Sequence, residues 1–491
     1  MDRYDRVAYA SLPIPEADPS RLFALGALFG LERPARWRVL EIGCGAGGHL
    51  VPLAARHPDD TWVGFDLASV PVQQARGLAQ RLSAPVEVLQ LDVCEASAAL
   101  EARSEAPFDC IIAHGVYSWV PDEAREALLA LCKRWLAPQG IAYVSVNCMP
   151  GWGMRGTLGG MLRYVAGDGP PDRQTGRARA FVGLLCSLVP ESDPYGAWLR
   201  REEKLIRQHG DAWLYHDLLA PVNRPVWLHE IVDTAATYEL QYLGDALIET
   251  MLPDRLPQDV QVRLASLGGG QVEQEQLLDF VLARSFRRVL LCRDGVELQR
   301  ELSPDALEGL HVSGRLVREG PMQYRSLDGD ELRTEHTGMD EVMGWLADHR
   351  PASAPVDELA RMLGPGEVER VRRNLLLAAT RGLVELRQRP AGLVGHVSPR
   401  PLADPIVRTL LSDGEVPTAL GAKVRLDGME QAILRHLDGQ HDVPGLIDAI
   451  LADGFQLQGH HGMGPQALRG WLEVEVPRRL RGMARTGLIV A

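Results

Sequence analysis

Val39-Leu-Glu-Ile-Gly-Cys-Gly-Ala-Gly-Gly48 decides the fold of this chain. An apolar strand runs into Glu41, then a run of glycines, then an amphipathic segment. A tight strand-to-helix turn beside a close ligand excludes Cβ atoms, which is why glycines gather there. Outward from this turn, short apolar runs at 37–42, 61–65, 86–91, 108–113 and 141–146 alternate with helical patterns at 47–56, 70–82 and 123–136. Strands alternating with helix-length segments predict a doubly wound α/β fold built on a parallel sheet.

The same stretch satisfies G-x-G-x-x-G through Gly43, Gly45 and Gly48, so a dinucleotide site competes for it. A dinucleotide places its pyrophosphate on the helix N-terminus and needs no acid nearby. S-adenosylmethionine has no phosphate but carries an ammonium, and Glu41 stands two residues before the first glycine to meet it. Asp66, in Gly64-Phe-Asp-Leu67, ends the second strand, where a carboxylate accepts from ribose hydroxyls. Asp92, in Leu91-Asp-Val93, ends the third and faces the adenine amine, with Val93 offering N–H and apolar contact. Acids at the tips of three successive strands all point into the crevice where open α/β sheets bind ligands. The cofactor residues are therefore expected to be Glu41, Gly43, Cys44, Gly45, Gly47, Asp66, Leu67, Asp92, Val93 and His114.

Composition narrows the partners. With 46% hydrophobic and 24% charged residues over 491 positions, the chain has apolar material for several cores. A net charge of −13 argues against a nucleic-acid binder and favours, weakly, a cationic partner. No apolar run approaches the roughly 20 residues of a membrane span, and the charged N-terminus lacks a secretory apolar core. A cytoplasmic location without membrane insertion is expected. The seven cysteines form no C-x-x-C pair, and His460 and His461 pair without a third ligand, so neither a zinc site nor a disulfide frame is expected.

Beyond Pro150 helical patterns occupy 154–165, 177–188, 197–209 and 228–239, broken by a Gly/Pro/Asp-rich loop at 167–173. Apolar runs at 240–243 and 286–292 have the length of two last strands for the first sheet, with the helices inserted before them. Two later units repeat a helix–helix–strand order: 356–362, 367–381 and 383–387, then 428–437, 444–451, 473–486 and 488–490. Each suits a small helical or winged-helix module.

Several longer stretches make the chain recognisable: Tyr9-Ala-Ser11, 39–49, His114-Gly-Val-Tyr-Ser-Trp-Val-Pro121, Asn147 with Pro150-Gly-Trp152, Tyr215-His-Asp-Leu-Leu-Ala-Pro-Val-Asn223, 240–245 and 278–288. With these it resembles bacterial class I methyltransferases carrying a methyltransferase regulatory domain, a family that includes protein-lysine methyltransferases acting on rickettsial outer-membrane proteins. The resemblance implies a Rossmann-like catalytic domain at 1–150 that binds S-adenosylmethionine and a helical middle or regulatory domain at 151–300. It further implies a linker with a small helical module at 301–400 and a C-terminal winged-helix-like α+β domain at 401–491. Where the family is expected to carry an aromatic before the Asn and Thr-Tyr after it, this chain has Val146, Cys148 and Met149.

Residues after the fourth strand line the acceptor side in such folds, here His114, Tyr117, Ser118 and Trp119. A lysine amine, with an unperturbed pKa of about 10.4, must lose its proton before it attacks, and an apolar aromatic channel favours that loss. Tyr117 and Trp119 are the expected walls, His114 a candidate base or a strand-end structural histidine, and Asn147 an orienting amide. Tyr9 is expected to close over the cofactor, as the resemblance suggests. Trp152 is expected to anchor the helical region, and His216 and Asp217 to tie it to the first domain. The expected activity is methyl transfer to a lysine of a protein or peptide substrate. A small-molecule or natural-product-peptide methyltransferase and a non-catalytic scaffold are the alternatives.

Overall fold

The computed structural model describes residues 3–455 and 464–490, except 328, 330 and 335, so His460 and His461 lie outside the described residues. Seven strands form the central sheet: β1 (Arg38–Ile42), β2 (Thr61–Asp66), β3 (Val86–Gln90), β4 (Phe108–Ala113), β5 (Leu136–Asn147), β6 (Leu240–Asp245) and β7 (Phe286–Arg293). They lie in the order β3-β2-β1-β4-β5-β7-β6. β1 to β5 are mutually parallel, and β7 runs against both of its neighbours. The strand order reverses between β1 and β4, and ligands of such sheets bind beyond the strand ends at that reversal. A dinucleotide-binding sheet runs 3-2-1-4-5-6; here the reversed β7 is wedged between β5 and β6.

Most sequence periods survive with shifted ends. The helix after the glycine turn begins at Leu50 rather than 47, because Gly43, Gly45 and Gly47 all hold positive φ and cannot begin a helix. β5 starts at Leu136, where a helix end had been expected; Pro138 bars helical continuation, and Leu136 pairs with Phe108 instead. The runs at 240 and 286 are indeed strands of the first sheet, and the helices Gly151–Ala166, Pro171–Leu188 and Pro194–Gln208 stand between β5 and β6.

The region after residue 300 holds strands that the sequence pattern does not announce: His311–Gly314, Leu316–Gly320, Gln323–Ser326 and Glu331–Arg333. They are short, and residues such as Arg318, Glu319 and Arg325 blur the alternation that marks a strand. His311–Gly314 is flanked by Ser353–Pro355 and Val384–Arg387 in a small sheet. This part is packed onto the first sheet's flank: Arg387 pairs with Asp18 at 2.6 Å, Trp37 Nε1 donates to Gln388 Oε1 at 3.0 Å, and Arg389 covers the Trp37 ring at 3.7 Å. The last part docks on the helices behind β1 and β2 through Arg56–Asp404 at 2.6 Å and a core that takes in Leu78 and Leu82. Among the described residues no helix is long and apolar enough to cross a membrane.

Candidate active site

At the turn after β1, the Gly43 and Cys44 amides donate to the Phe65 carbonyl at 2.8 and 3.1 Å, curling the chain over the end of β2. The N-terminal segment lies on this turn. Gly48 N donates to Ser11 Oγ at 2.7 Å, and Ile14 N donates to the buried His49 Nδ1 at 3.1 Å. A Cβ on Gly48 would stand 2.4 Å from the Ser11 carbonyl oxygen, nearer than atoms approach. Gly48 has no positive φ to relieve, so an added methyl acts through Ser11 alone. Gly48→Ala is expected to push the segment away, expose it to limited proteolysis and weaken AdoHcy binding about 10-fold in a calorimetric titration, the equivalent of one lost hydrogen bond.

The three acids sit at the ends of adjacent strands, in three different environments. Glu41 is 4% exposed, and its Oε2 finds no partner among the described residues. Burial, and secondarily the charge of Asp66, pushes its carboxyl up to about 8. Asp66 accepts from Gly45 N through Oδ2 and from Ala68 N through Oδ1, both at 2.9 Å, so it holds the turn as well as facing the crevice. Asp92 caps the helix Val93–Ala102 by accepting from Cys94 N at 2.9 Å. Leu67 is exposed, Val93 half-buried, and Cys44 buried against Gly64.

On the β4 side, His114 Nδ1 shares a 2.9 Å hydrogen bond with the Tyr143 hydroxyl, and its ring meets Phe286 edge-on at 5.9 Å. Burial pushes its imidazole down to about 4. With that value the ring is neutral at pH 7, and its Nδ1 is already engaged by Tyr143. Gly115 N donates to Ser145 Oγ at 2.8 Å, and Asn147 N donates to Ser118 Oγ at 2.8 Å. Tyr143, Ser145 and Asn147 thus fasten the loop after β4 from alternate positions of β5. Tyr-x-Ser-x-Asn on an otherwise apolar strand was a legible signal for Tyr143 and Ser145, which the sequence reading passed over.

The remaining expected residues meet different neighbours. Asn147 Nδ2 donates to Asn223 Oδ1 at 3.2 Å, and Trp119 meets Trp152 edge-on at 5.9 Å. Tyr117 is 4% exposed and packed in the apolar core beneath Arg125, whose guanidinium lies 5.2 Å from its ring centre. Val146 and Cys148 are also buried, and Cys148 donates through Sγ to the Arg284 carbonyl at 3.3 Å. Tyr9 donates its hydroxyl to Asp217 Oδ2 at 3.1 Å, linking the N-terminal segment to the helical region. A cavity of about 720 Å³ lies elsewhere, against β6 and the helix Gln271–Leu282, and none of the expected cofactor or acceptor residues line it.

The donor set fits a sulfonium cofactor with an amino-acid tail. A buried, unpartnered carboxylate oxygen at the turn calls for a cation, and the turn carries no basic side chain to meet a phosphate.

Three family models match the chain: a methyltransferase domain over 39–140, a predicted methyltransferase regulatory domain over 210–293, and the PKMT C-terminal winged helix domain over 399–488. The uncharacterized protein RP789 of Rickettsia prowazekii (strain Madrid E) is 32% identical over 329 residues, 66% of this chain and 59% of that protein. A second uncharacterized protein from the same organism, RP028, is 30% identical over 243 residues, 47% of this chain and 93% of its own length. PKMT2 from Rickettsia typhi, solved alone and in complex with AdoHcy, superposes with a TM-score of 0.85 at 23% identity, covering 98% of this chain and 100% of that one. The antiparallel β7, the glycine turn and these matches agree. The chain belongs to the Rossmann-like, S-adenosylmethionine-dependent methyltransferases that carry a regulatory domain and a C-terminal winged-helix domain.

Proposed function

We propose that the protein methylates a lysine side-chain amine of a protein or peptide. The observation that carries this reading is the whole-chain likeness in fold to PKMT2, which reaches past the methyltransferase sheet into the helical and winged-helix parts. A fold built only for a small metabolite has no need of nearly two hundred further residues beyond the sheet. Four units follow from the same reading, at 1–150, 151–300, 301–400 and 401–491; two matched segments lie inside the first and second, and the one over 399–488 starts two residues before the fourth.

When bound, the cofactor supplies an electrophilic methyl on a sulfonium. Glu41 meets the ligand's ammonium, Asp66 the ribose hydroxyls, and Asp92 with Val93 the adenine, while the glycine turn with Cys44 and Leu67 shapes the walls. His114, neutral and held by Tyr143, donates or accepts a hydrogen bond rather than acting as the base. Trp119, braced by Trp152, offers an aromatic face to a cationic amine before it reacts. Asn147 holds the loop that carries these groups. Tyr117 supports that loop from beneath.

The test is incubation with methyl-labelled S-adenosylmethionine and lysine-rich polypeptides, poly-L-lysine among them, followed by digestion and mass spectrometry. Label on lysine is expected. Label on small molecules only would replace this reading with a small-molecule methyltransferase, and AdoHcy binding without turnover on any acceptor would leave a scaffold.

A further inference from the structure

The N-terminal segment and residues 215–217 build a small cluster of rings around His216, next to the Asp217 carboxylate. Tyr4 stacks on His216 with ring centres 4.4 Å apart, and Tyr9 meets His216 edge-on at 5.3 Å. Tyr215 closes the other edge of His216 at 5.1 Å, with Arg3 lying 3.9 Å over the Tyr215 ring. His216 Nε2 is hydrogen-bonded to the Val7 carbonyl at 2.9 Å, which fixes its ring plane. Asp217 follows His216 at the edge of this cluster, with Oδ2 held by the Tyr9 hydroxyl, while Oδ1 carries no hydrogen bond from the described residues. It belongs to a single π-helical turn, Leu214–Leu218, a local departure that recurs at functional sites.

Both elements of this cluster are tied to those that build the crevice. Tyr9 is two residues from Ser11, which rests on Gly48 of the glycine turn. The 214–218 turn packs on the helix Gly151–Ala166: Arg163 donates to the Leu218 carbonyl at 3.3 Å, and Gly159 leaves no room for a Cβ against it. The first turn of that helix carries Trp152, which meets Trp119. Arg155, one turn further on, lies 5.2 Å from the Trp152 ring centre and has its own carboxylate in Glu202. A carboxylate edged by aromatic rings is a site for an organic ammonium, because ring faces and carboxylate both attract the cation while water is partly excluded.

We propose that Asp217 is the group that receives the acceptor ammonium and takes its proton, a role that rests on the amine-acceptor reading above. An N–H bond of the ammonium breaks, an O–H bond forms on Asp217, and the electron pair stays on nitrogen, where methyl transfer needs it. Asp217 is half-buried, so the proton leaves to solvent. Tyr4, Tyr9 and His216 orient the amine's alkyl stem.

The charged and titratable groups around Asp217 come from three elements. Tyr9 approaches from the N-terminal segment, Arg155 from the helix Gly151–Ala166 and His209 from the end of the helix Pro194–Gln208. Burial outweighs the Tyr9 hydrogen bond and the charges of His209 and Arg155, and pushes the Asp217 carboxyl up to about 6. Above that pH the base form prevails.

Two variants separate this role from a plain latch. Asp217→Asn keeps an oxygen for the Tyr9 hydroxyl but loses the charge and the base, whereas Tyr9→Phe opens the latch and keeps the carboxylate. With poly-L-lysine as acceptor, Asp217→Asn is expected to lower kcat/KM about 100-fold, within the usual range for a general base, and to erase the acid limb near pH 6. Its AdoHcy affinity, measured by calorimetry, should stay within about two-fold of wild type, since the cofactor contacts are untouched. Tyr9→Phe is expected to cost less than about 10-fold, the worth of one hydrogen bond. Wild-type rate in Asp217→Asn, an unmoved acid limb, or AdoHcy affinity falling in step with rate would each overturn the proposal. If the wild type labels only non-amine acceptors, the underlying reading fails first and this role with it.

Discussion

Glu41→Gln is expected to abolish the proton release that accompanies AdoHcy binding near neutral pH and to weaken binding about 10- to 100-fold, the worth of a hydrogen bond between charged groups. In the free protein, burial lifts the Glu41 carboxyl from 4.5 to about 8, so at pH 7 the acid is mostly protonated. A ligand ammonium placed against it favours the carboxylate, and the displaced proton must go to the buffer. Calorimetry in two buffers of different ionisation heat counts that proton directly. The linked stability has a definite sign. Because the folded value is raised, the stabilising contribution of Glu41 is complete below pH 4.5 and is lost as pH rises through about 8. The free wild type therefore loses stability across that window, while the gain on adding AdoHcy grows. Free Glu41→Gln should show neither change. Equal affinity and equal proton release in the two proteins would remove Glu41 from the cofactor site.

Arg287→Leu is expected to destabilise the fold by roughly 3–5 kcal/mol, the usual cost of stripping a buried ion cluster of its cation. Arg287 is fully buried in β7 and binds Asp279 through two hydrogen bonds at 2.8 and 2.9 Å and Glu275 at 2.9 Å, with Asp245 at 3.6 Å. Arg284 neutralises Asp279 alone, at 2.9 Å, so the leucine would leave Glu275 and Asp245 without a cation. At about 2–4 °C per kcal/mol for a unit of this size, the melting transition should fall by about 10 °C at pH 8. Burial already holds Glu275 and Asp279 above the ordinary carboxylate range. Once the guanidinium is gone they rise further and protonate on acidification, so the deficit should shrink at pH 5.5. Scanning calorimetry at the two pH values decides it, and an equal loss at both would mean that packing rather than charge sets the cost. The cluster matters to the site because β7 pairs Phe286 with Asn147 and carries that ring to His114.

Both predictions use acids, yet only one of the two was visible in the chain itself. Glu41 lies two residues from the glycines of the turn, so its proposed role travels with a ten-residue string. Arg287 needs partners from β6 and from the helix Gln271–Leu282, none of them recognisable as partners until the chain has folded. Tyr117 shows the opposite error. It shares the run His114-Gly-Val-Tyr-Ser-Trp, yet the turn after β4 sends its ring into the core while Trp119 reaches Trp152. The small strands between 311 and 333 stayed hidden because polar residues interrupt a period of two over so few positions.

By itself the sequence determined the parallel sheet, the glycine turn, the acids at the strand tips and hence the kind of cofactor. These are encoded by neighbours in the chain, through backbone conformation and the alternation of apolar residues. Only the tertiary structure decided that the N-terminal segment lies on Gly48, that Tyr9 reaches Asp217, that Tyr143 holds His114, and that burial sends Glu41 up and His114 down. Proton affinity and partnership depend on what is packed within a few ångströms, and those neighbours are drawn from parts of the chain as much as two hundred residues apart.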